Sequence, residues 1–134
     1  MRRVSLLVGV IGTIATASFW TAHAAQAPAP VDFVRDVQPI LRQQCYGCHG
    51  PTQQMNGFRL DRRREAMRGG TIAVIGPGNS DGSRLYQRLI GHQYGAQMPP
   101  TGALRPEHTK VIKDWIDQGA VWPDEASEIG RAHV

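Results

Sequence analysis

Residues 45–49 read Cys-Tyr-Gly-Cys-His, and these five positions decide what the rest of the chain has to fold around. Two thiols separated by two residues, with a histidine directly after the second, form the pattern of covalent haem attachment. The spacing has a physical cause. It lets both sulfurs reach the vinyl groups on one edge of a porphyrin while the adjacent imidazole points at the iron. Three other chemistries use paired cysteines. A thioredoxin-like redox pair belongs in a βαβ surround, and none is visible here. A structural zinc site needs four ligands, usually from two paired clusters, and the chain has two cysteines with no second Cys/His pair. A disulfide across two residues is strained.

If iron is held on one side by His49, the second axial position decides between electron transfer and chemistry at the metal. The candidates are Met55, Met67, Met98, His92 and His108. Met98 stands in Gln97-Met98-Pro99-Pro100, late in the chain, in a loop stiffened by two prolines. A thioether is a soft, weak ligand, so a rigid loop compensates for its modest affinity. Met67 falls inside a helical segment and reads as packing. Met55 is too near His49 to reach the opposite face easily, and His92 is the rival. Met98 is therefore the expected distal ligand. The second ring nitrogen of His49 needs a partner, for which a carbonyl of the Gly76-Pro77-Gly78 loop or of Pro51 is available.

Working outward, Phe33, Val37, Ile40 and Leu41 recur at helical spacing before the cysteines. Pro39 cannot lie deep in a helix, so that helix is expected to start late, with Asp36 as N-cap and Pro39 in its first turn. Downstream, GFRLDRRREAMRGG (57–70) holds a short basic helix from Asp61 to Arg68, closed by Gly69-Gly70. Thr71 to Ile75 is briefly strand-like, but the glycines and proline around it make a loop the better reading. Asn79 or Ser80 can cap a further helix bearing Leu85, Leu89 and Ile90 and ending at Gly91. Residues 91–104 contain no element. The last helix opens at Pro106, carries Val111, Ile112, Trp115 and Ile116 on one face, and stops at Gly119. Three or four short helices joined by long loops need a reason to be ordered, and a large apolar cofactor is such a reason.

Composition supports the same expectation. With 134 residues, three Trp, three Tyr and three Phe against 15 Gly and 9 Pro, the chain suits one small domain that is short of large core side chains. Arg2 and Arg3, an uncharged run from Val4, and Ala22-His23-Ala24 have the layout of a secretory signal peptide over residues 1–24. An uncleaved membrane anchor is the competing reading, and only then would a membrane be a partner. Residues 25–31, AQAPAPV, read as an extended spacer, 32–122 as the domain and 123–134 as a polar, frayed tail. The formal charge of +4 includes Arg2 and Arg3, so the mature chain has 13 basic against 11 acidic side chains, or +2. That balance gives no argument for nucleic acid. The cluster Arg59, Arg62, Arg63, Arg64 and Arg68 can pair with haem propionates or an acidic partner, or form a solvated face with Asp61 and Glu65.

Taken together, these residues resemble the planctomycete-type cytochrome c domain, a branch related to small class I cytochromes. The likeness runs in order through Asp36-Val37-Gln38-Pro39-Ile40-Leu41, Cys48-His49-Gly50-Pro51 and Gly57-Phe58-Arg59-Leu60-Asp61. It continues through Pro77-Gly78-Asn79, Ser83-Arg84-Leu85-Tyr86, Met98-Pro99-Pro100 and Trp115-Ile116-Asp117-Gln118-Gly119-Ala120. The resemblance implies an all-α, small class I cytochrome c-like fold wrapped around one covalent haem c, with the first and last helices crossing beside it. It implies thioethers at Cys45 and Cys48, His49 as proximal and Met98 as distal iron ligand. The expected activity is one-electron transfer to unidentified redox partner proteins in the periplasm or another exported location, with no catalytic residues. The alternative is a haem enzyme or a gas or redox sensor whose distal ligand lets go.

Overall fold

The computed structural model describes residues 28–68 and 74–124. The signal-peptide reading, Gly69-Gly70 and most of the polar tail lie outside them. Among the described residues every regular element is helical and none is a strand, so the all-α class holds. The one isolated β-bridge found there joins His49 to Gln54.

The first helix starts earlier than expected. Asp32 is its N-cap: the Asp32 carboxylate accepts from the Arg35 N–H at 2.8 Å, and the Asp36 carboxylate accepts from the Asp32 N–H at 2.9 Å, a reciprocal pair of the capping-box kind. A π-helical turn, Phe33–Val37, then runs into α1, Gln38–Gln44. Pro39 explains the wide turn. Its ring crowds the carbonyl four residues back and it has no N–H, and loosening the preceding turn relieves that crowding without breaking the helix.

A single turn, α2 (Tyr46–His49), follows directly, with the Cys45 N–H still donating to Leu41 at 2.9 Å. The basic helix α3 is shorter than expected, Arg63–Met67, with Ala66 buried. Next, α4 spans Arg84–Ile90, with Ser83 rather than Asn79 or Ser80 as its N-cap. Those two residues are spent on the loop before it: Asn79 Oδ1 accepts from the Gly82 N–H at 2.8 Å, and the Ser80 N–H donates to Asp117 at 2.9 Å. The Ser83 hydroxyl ties the same loop, accepting from the Gly76 N–H at 2.8 Å and donating to the Asn79 carbonyl at 2.7 Å. Of the α4 stripe, Leu85 and Leu89 are buried and Ile90 is exposed.

The last helix, α5, is Pro106–Asp117 with proline at its first turn, as its sequence requires. It ends in a Schellman cap, the Ala120 N–H donating to the Trp115 carbonyl at 2.9 Å while Gly119 turns at φ +102°. The core lies where α5 meets the first helix. Phe33, Val37, Ile40 and Leu41 close on Ile112, Trp115 and Ile116. Phe33 stacks on Trp122 at 4.1 Å and meets Trp115 at 5.5 Å, and the Trp115 indole N–H donates to the Val121 carbonyl at 2.9 Å. Burying each such side chain stabilises the fold by about 1.5–3 kcal/mol, so these few aromatics hold the two ends of the domain together. The end of the Ala/Pro spacer is pinned as well. The Gln118 amide accepts from the Val31 N–H at 2.8 Å and donates to the Ala29 carbonyl at 3.1 Å.

Candidate functional site

The continuity of α1 into α2 sets the position of the attachment motif. The His49 N–H donates to the Cys45 carbonyl at 2.8 Å, so both cysteines and the histidine share one helical turn. Gly50 ends that turn where a Cβ would collide with the Tyr46 carbonyl oxygen. The chain then folds back through the His49–Gln54 bridge, and the Leu60 N–H donates to the His49 carbonyl at 2.8 Å. This brings Phe58 edge-on to the imidazole, with ring centroids 5.4 Å apart.

Cys45 and Cys48 are free and half-buried. Burial, helped by the neighbouring Cys48, pushes the Cys45 thiol up to about 12. Redox-active dithiols work the other way, with a thiol lowered by a helix N-terminus or nearby cations. The environment therefore argues against a thioredoxin-like pair. Among the described residues no three His, Cys, Asp or Glu side chains converge on a common point.

His49 lines a cleft of about 480 Å³ whose apolar walls include Phe58, Leu60, Val74 and Leu85. Met98 lines the same cleft from a distant part of the chain. Its loop is anchored by the Met98 N–H, which donates to the Arg88 carbonyl at 2.8 Å, and by the Gln97 side chain, which donates to the Leu89 carbonyl at 2.9 Å. The Met98–Pro99 bond is cis. The fold thus brings two of the four expected site residues to one cavity. Cys45 and Cys48 ride on the same turn as His49 without lining it.

The rival ligands separate. His92 is exposed, and its Nδ1 accepts from the Gln97 N–H at 3.2 Å, away from the cleft. His108 sits at the start of α5 beside Arg105. Met67 packs against the core. Met55 does line the cleft: the His49–Gln54 bridge puts the short 3₁₀ turn Met55–Gly57 next to His49, half exposed. The partner expected for the second histidine nitrogen is absent. His49 Nδ1 is buried without a hydrogen bond to either the Gly76-Pro77-Gly78 loop or Pro51; in that loop the Gly76 carbonyl accepts from the Asn79 N–H at 2.9 Å and the Gly78 N–H donates to the Ile116 carbonyl at 2.7 Å.

The basic cluster divides. Arg59 is buried against Asp61, Arg62 pairs with Glu65 at 3.0 Å and Arg63 with Asp124 at 2.9 Å. Arg64 is exposed, and Arg68 reaches the cleft. Two further arginines of the cleft, Arg84 and Arg88, escape a reading by sequence clusters. Their signal is the four-residue spacing on α4, which puts them on one helix face.

A haem fits this set of residues. The volume lies within the roughly 300–1,000 Å³ usual for cofactor sites, and the walls are apolar with a few polar groups. His49 and Met98, an imidazole and a thioether of the kinds that hold haem iron, both line the cleft. Comparison with known proteins agrees: the family model described as planctomycete cytochrome C matches residues 45–102. No curated protein and no solved structure matches the chain.

Proposed function

With residues 45–102 matching the family model described as planctomycete cytochrome C, we propose that this chain is a monohaem one-electron carrier acting outside the cytoplasm. Cys45 and Cys48 would anchor the haem, and His49 and Met98 would hold its iron. The observation that carries the reading is that His49 and Met98 line one apolar-walled cleft. The bound group supplies a one-electron iron couple. The chain supplies a fixed imidazole, a thioether on a tethered loop, and Phe58, Leu60 and Leu85 as walls that keep water away. Held by both His49 and Met98, the bound group would keep no site open for oxygen, which suits electron transfer rather than oxygen chemistry. Export is part of the proposal, resting on residues 1–24. Among the described residues no helix is long and apolar enough to cross a membrane.

Intact mass and visible spectra of protein matured in a host that attaches haem test this. The expected result is one added haem, loss of residues 1–24 and a methionine-to-iron charge-transfer band in the oxidised form. A colourless protein overturns the proposal outright, and a high-spin spectrum with rapid carbon monoxide binding reassigns it to a sensor or enzyme.

A further inference from the structure

Three guanidinium groups, Arg68, Arg84 and Arg88, line the cleft, with Glu65 as its one acidic lining residue. Glu65 is already engaged, accepting from Arg62 at 3.0 Å. None of the ion pairs found among the described residues uses Arg68, Arg84 or Arg88. Arg88 donates through Nε to the Ala96 carbonyl at 3.2 Å, which leaves its charge uncompensated. Arg84 is more exposed to cost: its Nε is buried with no hydrogen-bond partner. A buried donor without an acceptor is destabilising, and two like charges one turn apart on a helix repel. Both penalties disappear if an anion enters the cleft.

Resting on the haem reading above, we infer that Arg84, with Arg88 beside it, is the site that binds the propionate carboxylates of the haem. A guanidinium presents a planar fork that matches a carboxylate with two parallel hydrogen bonds, which the rounded charge of lysine cannot reproduce. The Arg59–Arg64 stretch is excluded from this role because its members are paired with Asp61, Glu65 and Asp124 or point to solvent. The site also touches the loop that carries Met98. Arg88 holds the Met98 N–H through its carbonyl and lines the cleft through its side chain, so an anion bound there bears on the distal loop.

The test uses full-length holoprotein carrying Arg84→Gln, Arg88→Gln, Arg84→Lys or, as a control, Arg64→Gln on the exposed face. Removing a paired cation leaves a carboxylate uncompensated beside the iron and favours the oxidised form. Arg84→Gln should shift the one-electron equilibrium roughly tenfold toward oxidation, about 59 mV, and move the propionate carboxylate bands in the redox-difference infrared spectrum. Arg88→Gln should do the same to a smaller extent, Arg84→Lys should recover part of the potential but not the bands, and Arg64→Gln should change neither. Holoprotein in which Arg84→Gln and Arg88→Gln leave potential and bands unchanged, or in which Arg64→Gln shifts the potential equally, overturns the inference. Wild-type protein that carries no haem instead overturns the proposed function, and the two failures are told apart by the mass.

Discussion

The Phe58 ring meets the His49 imidazole edge-on, the two planes inclined at 65°. Metal-binding histidines are usually oriented by a hydrogen bond from the second ring nitrogen. Here Nδ1 is buried and has no such bond, so packing against Phe58 is what fixes the imidazole. The backbone makes that contact obligatory, because the Leu60 N–H to His49 carbonyl bond closes the loop on which Phe58 stands.

Phe58→Leu keeps the wall apolar and removes the ring edge. The expected outcome is full haem attachment, a stability loss of about 1–1.5 kcal/mol and a broadened low-spin signal in the electron paramagnetic resonance spectrum of the ferric protein. A spectrum with wild-type line width would show that the imidazole is held by something else.

Met98 and Met55 both line the cleft, on different loops. Because a thioether is a soft ligand that raises the potential, Met98→Ala should lower the reduction potential and admit imidazole or carbon monoxide to the iron. Met55→Ala and His92→Ala should leave both properties unchanged. Titration with exogenous ligand decides the matter, and ligand entry in Met55→Ala but not Met98→Ala would move the distal position to the half-exposed methionine.

What could be read from the chain follows the physics of each signal. The last helix is legible because Pro106, the stripe Ile112, Trp115, Ile116 and Gly119 all point to the same boundaries. The first helix starts four residues before the expected Asp36 cap because a π turn accommodates Pro39, and sequence periodicity does not distinguish a widened turn. Ser83 stands at the cap in place of Asn79 and Ser80 because its hydroxyl ties back to Gly76 and the Ser80 N–H is held by Asp117 on α5, bonds that local propensity cannot anticipate. In the cleft, His49 and Met98 were legible from motif and loop chemistry. Arg84 and Arg88 were not, since an arginine pair on a helix reads as surface until the fold turns that face inward.

Asp117 connects the end of α5 to the loop that leads into α4, accepting from the Ser80 N–H at 2.9 Å and from Lys113 at 2.6 Å. An acidic residue in a helix's last turn is unfavourable toward the helix dipole, so its partners must compensate. The Lys113 ammonium foremost, and then the Ser80 N–H, hold the Asp117 carboxyl below its ordinary 3.8. The folded state therefore binds this proton less readily than the unfolded chain. The resulting stability is present above the unfolded value and is lost as pH falls through the lower folded value. Asp117→Asn keeps an acceptor for Ser80 but removes the charge, and since the side chain is partly exposed the cost near neutrality should be about 0.2–1 kcal/mol. Denaturant midpoints of holoprotein should show that difference shrinking as the pH drops below 3.8, once the wild-type carboxyl takes up its proton. A gap that stays constant into acid would mean that Asp117 acts by shape and hydrogen bonding rather than by its charge.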